Sequence, residues 1–235
     1  DISVADIACG SGIFLEEAFA YLQDYCVQWY ICNGQTDHLI ETGIDLYKLP
    51  LQEKKDILCS CIYGIDIDIH AVEVAKFSLL IKLIEDETAP SVSEVVPILP
   101  DLGDNIQFGN SLVSQTELNG ISGANHQMME IAPFDWSTIN NGCGFDVIIG
   151  NPPYVNTEGM HALLPSAEVE IYKKKYKTSH KQFDKYFIFI EQAINKINEN
   201  GLVCYIVPNK FFKIGAGEKL RNLIAKERML VSLDD

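Results

Sequence analysis

No apolar run in this sequence approaches the roughly 18–20 residues that a membrane-spanning helix needs, so no membrane partner is expected. A C-x-x-C pair is missing as well. The seven cysteines (9, 26, 32, 59, 61, 143 and 204) are scattered, and Cys59 and Cys61 stand too close together for ordinary zinc spacing. The five histidines (38, 70, 126, 161 and 180) do not cluster either, so no metal site is expected. The thiols read as buried, reduced side chains of a cytosolic protein. Basic residues are scarce: 18 Lys and Arg stand against 33 Asp and Glu, for a formal net charge of −15. By itself such an excess argues against a nucleic-acid binder, because phosphates are met by Lys and Arg. The stretch YKKKYKTSHK (172–181) is a local exception, basic with interleaved aromatics. It reads either as a solvated face or as a loop turned toward a polyanion. The opening residues, DISVADIACG, are not basic and already read as strand, so no secretory leader is expected.

What is present is enough for a core. Of 235 residues 47% are hydrophobic and 22% charged, which fits one large folded domain or two small ones. Strands are expected at 4–8 (VADIA), 61–65 (CIYGI), 105–110 (NIQFGN), 145–150 (FDVIIG), 202–208 (LVCYIVP) and 229–233 (MLVSL). Apolar residues at helical spacing predict helices over 13–31, 70–87, 181–200 and 217–227, the third ending at Asn200-Gly201. Alternating helices and nearly all-apolar strands imply an α/β domain with a doubly wound, mainly parallel sheet covered on both faces. Residues 33–60 and 112–143 break the alternation and read as insertions, the second rich in Asn, Gly and Ser.

In such sheets ligands sit beyond the carboxyl ends of the strands. After the first strand stands Asp6-Ile7-Ala8-Cys9-Gly10-Ser11-Gly12, but the third glycine of a dinucleotide fingerprint is missing. A carboxylate at Asp6 would repel a pyrophosphate and could pair with an ammonium. After the second strand, Asp66 is placed to accept ribose hydroxyls and Ile67 to pack on a purine, while Asp68 suits a helix start. After the third, the polar side chains of Gly109-Asn110-Ser111 could meet a base edge. A nucleoside carrying an amino-acid-like cation and no phosphates is the implied ligand, a description that fits S-adenosyl-L-methionine. The fourth strand runs into Asn151-Pro152-Pro153-Tyr154, which no strand or helix can continue through. The Asn151 amide oxygen and a peptide carbonyl of the rigid Pro-Pro segment can accept both hydrogens of an exocyclic amino group. That withdraws the nitrogen lone pair from ring conjugation and makes it nucleophilic. Tyr154 offers a flat surface for base stacking, worth roughly 1–3 kcal/mol.

Together, D-I-A-C-G-S-G-I-F-L, Y-G-I-D-I-D, G-N-S-L, F-D-V-I-I-G-N-P-P-Y and the downstream F-D-K-Y-F-I-F-I-E, G-L-V-C-Y-I-V-P-N-K-F and Leu220-Arg221 resemble the gamma-type DNA N6-adenine methyltransferases. The likeness is greatest to the methylase domain of type IIG restriction–modification enzymes and related phage-defence methylases. It implies a Rossmann-like, S-adenosylmethionine-dependent methyltransferase domain over residues 1–235, a bacterial cytoplasmic location, and double-stranded DNA as partner. Carried over, it implies Asp6, Ala8, Cys9, Gly10 and Gly12 at the methionine end of the cofactor. Asp66 would meet the ribose, Ile67 the adenine, and Asn110 with Ser111 the adenine edge. Asn151 and Pro152 would hold the target amino group, Pro153 would lie near the cofactor, and Tyr154 would stack on the flipped base. Ile7 and Asn110 depart from the family's frequent proline and aspartate. The segment that closes over the methionine end, a second aromatic on the target base, the target-recognition domain and any nuclease are expected outside this chain, in the remaining domains of a longer polypeptide. The isolated piece is then expected to be inactive. A methyltransferase with the same motif acting on a protein glutamine or an RNA base is the alternative.

Overall fold

The computed structural model describes residues 2–88, 96–121, 124–226 and 230–233. Five strands form a sheet in the order β5-β4-β1-β6-β7: β1 (Val4–Asp6), β4 (Ile62–Asp66), β5 (Ile106–Phe108), β6 (Phe145–Gly150) and β7 (Ile197–Tyr205). Every pairing in it is parallel. A separate hairpin joins β2 (Ile40–Gly43) and β3 (Leu46–Lys48). The chain order reverses at β1, which pairs β4 on one side and β6 on the other, so a crevice opens beyond its carboxyl end.

Period-two alternation sorts the strand residues between two cores. Val4, Ile62 and Ile106 face α1 (Ile13–Cys32), α2 (Leu51–Cys61) and α3 (Ile69–Ile84), packing with Leu15, Phe19, Leu58 and Leu79. Ala5, Tyr63, Ile65 and Ile148 face the other way, in one cluster with residues of α7 (Ser166–Lys175) and α8 (Lys185–Lys196) such as Tyr172, Tyr186 and Phe187. Each such side chain contributes about 1.5–3 kcal/mol when fully buried. Between them lie the short helices α4 (Gln115–Asn119), α5 (Met128–Ile131) and α6 (Thr157–Leu163), and α9 (Glu218–Lys226) closes the described helices. Within residues 33–60, α2 places Leu51, Ile57 and Leu58 in the first core. Within 112–143, Leu112, Leu118, Ile131 and Phe134 enter the second.

Side chains fasten the sheet where β1 begins. Ser3 N–H and Oγ–H both donate to Asp146 Oδ2 at 2.8 Å, and Asn198 Nδ2 donates to its Oδ1 at 2.9 Å. Residues from three strands' entrances thus share one carboxylate.

Three expectations need correction. The helix predicted to reach Asn200-Gly201 ends at Lys196, because Ile197 already pairs with Phe145 in β7. Asn200 takes φ 70° beside a register shift in the β6–β7 ladder, so Asn200-Gly201 marks a strand irregularity, not a helix stop. No sixth strand forms over residues 230–233, where Leu230 and Val231 are exposed and no strand pairs with them; Met229 lies outside the described residues. Among the cysteines only Cys9 and Cys61 are buried, while Cys32, Cys143 and Cys204 are exposed. Among the described residues no helix is long and apolar enough to cross a membrane.

Candidate functional site

The loop after β1 folds back on itself before α1 begins. Gly12 N–H donates to Cys9 O at 2.9 Å, and Cys9 N–H donates to Ile65 O at 3.0 Å. Gly12 sits at φ 90°, and a Cβ there would lie 2.9 Å from the Ala75 side chain of α3. Glycine is therefore required twice over, by conformation and by helix packing. Cys9 is buried beneath the loop, and burial pushes its thiol well above the ordinary range. It packs there and is not poised as a thiolate.

Asp6 is 2% exposed and lies under this loop, its Oδ1 accepting Ala8 N–H at 2.9 Å. Burial raises its carboxyl from 3.8 to about 7, helped by the like charge of Asp66 and opposed by the Ala8 hydrogen bond. A Cβ on Gly150, which has φ 147°, would sit 2.6 Å from Asp6 Oδ1. The turn into Asn151 can pass the Asp6 carboxylate only as glycine.

Asp66, at the end of β4, holds two loops at once. Its Oδ2 accepts Gly10 N–H at 2.8 Å and its Oδ1 accepts Asp68 N–H at 2.9 Å. Each oxygen keeps lone-pair capacity for a further donor. Asp68 caps α3 through His70 N–H at 2.9 Å, as its position suggested. Asn110 and Ser111 are both 3% exposed. Ser111 Oγ–H donates to Ile7 O at 2.6 Å, tying the β5 turn to the β1 loop.

A cleft of about 280 Å³ opens among these turns. Ile7 and Ala8 line it from β1, Asp66 and Ile67 from β4, and Gly109, Asn110 and Ser111 from β5. Asn151 and Pro153 line it from β6. Four strand ends that are remote in sequence thus converge on one space. Asp6, Cys9, Gly10 and Gly12 shape the loop without lining the cleft, and the buried Pro152 does not line it either.

Asn151 to Tyr154 form the outer part. Tyr154 is 46% exposed and stands edge-on to Tyr186, with ring centroids 5.9 Å apart. Its hydroxyl lies within hydrogen-bond reach of Asn151 Oδ1 and of Ile206 O, the latter at 2.7 Å. The acceptor expected to meet a target amino group is thus engaged by the aromatic expected to stack on the same base.

Two residues of the cleft escaped the sequence reading, Lys185 and Phe189. Lys185 opens α8 and is buried, and burial pulls its ammonium below the ordinary lysine range while Glu168 and Asp66 oppose that. A cation in a helix's first turn opposes the macrodipole, and that was the available signal. Two lysines of 172–175 have partners within the chain: Lys174 pairs with Glu170 at 2.7 Å on the exposed surface, and the half-buried Lys175 with Glu117 at 2.9 Å.

Several known proteins share this sequence pattern. The family of Eco57I restriction-modification methylases matches residues 60–235. The type II restriction enzyme and methyltransferase RM.Eco57I of Escherichia coli is 45% identical over 229 residues, 97% of this chain and 22% of its own length. The type II methyltransferase M.BstVI of Geobacillus stearothermophilus is 25% identical over 99% of this chain and 34% of its own. The chain therefore spans about a fifth to a third of these two relatives. Among solved structures, a nuclease-deletion mutant of the type ISP restriction-modification enzyme LlaGI in complex with a DNA substrate mimic superposes with a TM-score of 0.59 at 16% identity. That match takes in 96% of this chain and 17% of the LlaGI chain. The DrdV–DNA complex gives 0.58 at 15%, over 96% of this chain and 19% of the other, so the doubly wound fold is shared with both. By the extent of the family match and the identity to RM.Eco57I, this chain belongs to the Eco57I restriction-modification methylase family.

Proposed function

We propose that this chain is the catalytic core of a DNA methyltransferase that transfers a methyl group from S-adenosyl-L-methionine to the N6 amino group of an adenine flipped out of double-stranded DNA. The convergence of four strand-end turns on one cleft carries the reading, with Asp66 on one wall and Asn151 on another. The donor set suits such a cofactor. Buried Asp6 and cleft-lining Asp66 disfavour a pyrophosphate and favour a ligand with hydroxyls and positive charge. Asp66 would take the ribose hydroxyls with its remaining lone pairs, Ile67 would pack on the purine, and the charge of Asp6 would face the ammonium across the Ala8 loop. When bound, the cofactor supplies an electrophilic methyl group on a sulfonium.

The remaining work belongs to the chain. Asn151 Oδ1 and the Pro152 carbonyl accept the two N–H groups of the target amine, which localises its lone pair. Tyr154 must release Asn151 before that amine can bind, and its ring is then free to stack on the base. The attacking nitrogen needs no strong base beforehand, so rate comes from orientation and fixed dipoles. The stack hides the amino group of a paired adenine, which is why the base must leave the helix. DNA affinity and sequence choice are assigned to parts of a longer protein, in keeping with the net charge of −15.

Calorimetric titration with S-adenosylhomocysteine tests the cofactor site. Micromolar binding is expected, weakened at least about tenfold in Asp66→Ala, which removes the ribose acceptors and frees Gly10 N–H. Unchanged affinity in that variant would refute the assignment of Asp66.

A further inference from the structure

Along the cleft wall, four buried polar side chains from three segments pack together, and Asn110 and Lys185 of these line the cleft. Asn110 Nδ2 donates to Glu168 Oε1 at 3.0 Å, and Tyr172 Oη lies 3.5 Å from the same nitrogen. The Tyr172 hydroxyl also donates to Glu168 Oε1. Lys185 Nζ stands 3.7 Å from that oxygen and 5.5 Å from the Tyr172 ring centroid. Glu168 is 1% exposed and Tyr172 is fully buried. On its other side, Asn110 Oδ1 accepts Leu112 N–H at 3.1 Å.

These partners leave the amide no choice of orientation. A carboxylate only accepts and a backbone N–H only donates. Flipping Asn110 would set its oxygen against Glu168 and its NH₂ against Leu112 N–H, at a cost of two buried hydrogen bonds. Both Nδ2 hydrogens are directed into the cluster, one to Glu168 and one toward Tyr172. What Asn110 retains for the cleft is one lone pair on Oδ1. Glu168 needs a cation nearby to be tolerable at this depth, and Lys185 supplies it from the start of α8.

We propose that Glu168, backed by Lys185 and Tyr172, is a positioning residue that locks the Asn110 amide as an acceptor, so that the cleft selects a base bearing an amino group and rejects one bearing a carbonyl. The inference rests on the nucleoside-cofactor reading of the cleft and specifies how its base edge is read. A ligand amino group would donate to Oδ1, whereas a carbonyl would face it lone pair to lone pair.

The test compares two ligands by calorimetry: S-adenosylhomocysteine and S-inosylhomocysteine, in which oxygen replaces the 6-amino group. The wild-type chain is expected to prefer the amino form by roughly tenfold to a hundredfold. In Glu168→Gln the amide at 168 can donate as well as accept, so only Leu112 N–H still orients Asn110, and the preference should fall at least about threefold while adenosyl binding persists. A mere packing role for Glu168 would weaken both ligands equally and leave their ratio unchanged, and that ratio would overturn the proposal. Equal binding of the two ligands by wild type would overturn it too. Should Glu168→Gln not fold, Asn110→Asp gives the second reading. It places a carboxylate against Glu168, so adenosyl binding should drop at least about tenfold at pH 8, and undiminished binding would refute the lock. Absence of adenosyl binding in the full-length protein, which includes the segment expected to close over the methionine end, would instead strike the cofactor reading itself.

Discussion

The two walls of the cleft are built differently. On the β1–β4–β5 side each polar group already has a fixed partner: Asp66 holds Gly10 N–H, Ser111 holds Ile7 O, and Asn110 is held from two directions. On the β6 side, Asn151 and Tyr154 are exposed and engage each other. One wall is pre-organised for a ligand that fits between rigid turns. The other holds its acceptor under a side chain that must move. Preorganisation lowers the ordering cost of binding. A self-engaged acceptor does the opposite, and keeps Asn151 covered until a base arrives to displace Tyr154.

Substitutions that separate the walls sharpen this contrast. The largest effect is expected from Asn151→Ala: methylation of adenine DNA by the full-length protein should fall about 100- to 1,000-fold, with S-adenosylhomocysteine affinity unchanged. A matching loss of cofactor binding would show that the walls are not independent. Next comes Asp6. Its carboxyl is raised to about 7, so in the free protein the protonated form is favoured below that pH and the ionised form above it. The stability it contributes is complete below about pH 4 and is lost as pH rises toward 7. A bound ammonium reverses this preference, because it stabilises the ionised carboxylate. Affinity for S-adenosylhomocysteine should therefore rise about tenfold between pH 6 and pH 8. In Asp6→Asn, whose side-chain oxygen can still accept Ala8 N–H, that slope should vanish; a persistent slope would assign it to another group. The smallest effect concerns the movable wall. Tyr154→Phe keeps the ring and frees Asn151 Oδ1, so methylation should stay within about threefold of wild type. Tyr154→Ala loses stacking worth roughly 1–3 kcal/mol and should be clearly slower. If Phe and Ala were equally slow, the hydroxyl rather than the ring would be the contributing group.

Much of this was legible in the sequence, for a physical reason. Buried parallel strands must be apolar on both faces, and the turns after them must carry glycine where helices or carboxylates crowd the backbone. Gly12 against Ala75 and Gly150 against Asp6 show the second constraint directly. What escaped depends on neighbours remote in sequence. The end of α8 is set by the pairing of Ile197 with Phe145, and no local pattern around Asn200-Gly201 reports that partner. Residues 229–233 had strand composition, yet a strand exists only where another pairs with it, and none pairs with the described residues 230–233. Glu168 and Lys185 were ordinary residues of amphipathic helices until folding set Glu168 against Asn110, 58 positions away.

The Ser3–Asp146 clamp also bears on the order in which the protein can be made. Ribosomal synthesis delivers β1 before the other strands of its sheet; β4, its neighbour on one side, and β5, which pairs with β4, come next. The wall with Asp66 and Asn110 can therefore start to assemble while the rest is still being made. The opposite edge of β1 waits for Val147, and Ser3 for a carboxylate 143 positions downstream. Through that interval a central strand is left with an open edge and no local hairpin to cover it. Asp146, at the start of the very strand that delivers Asn151, thus marks where the open edge of β1 is covered and the second wall reaches the first.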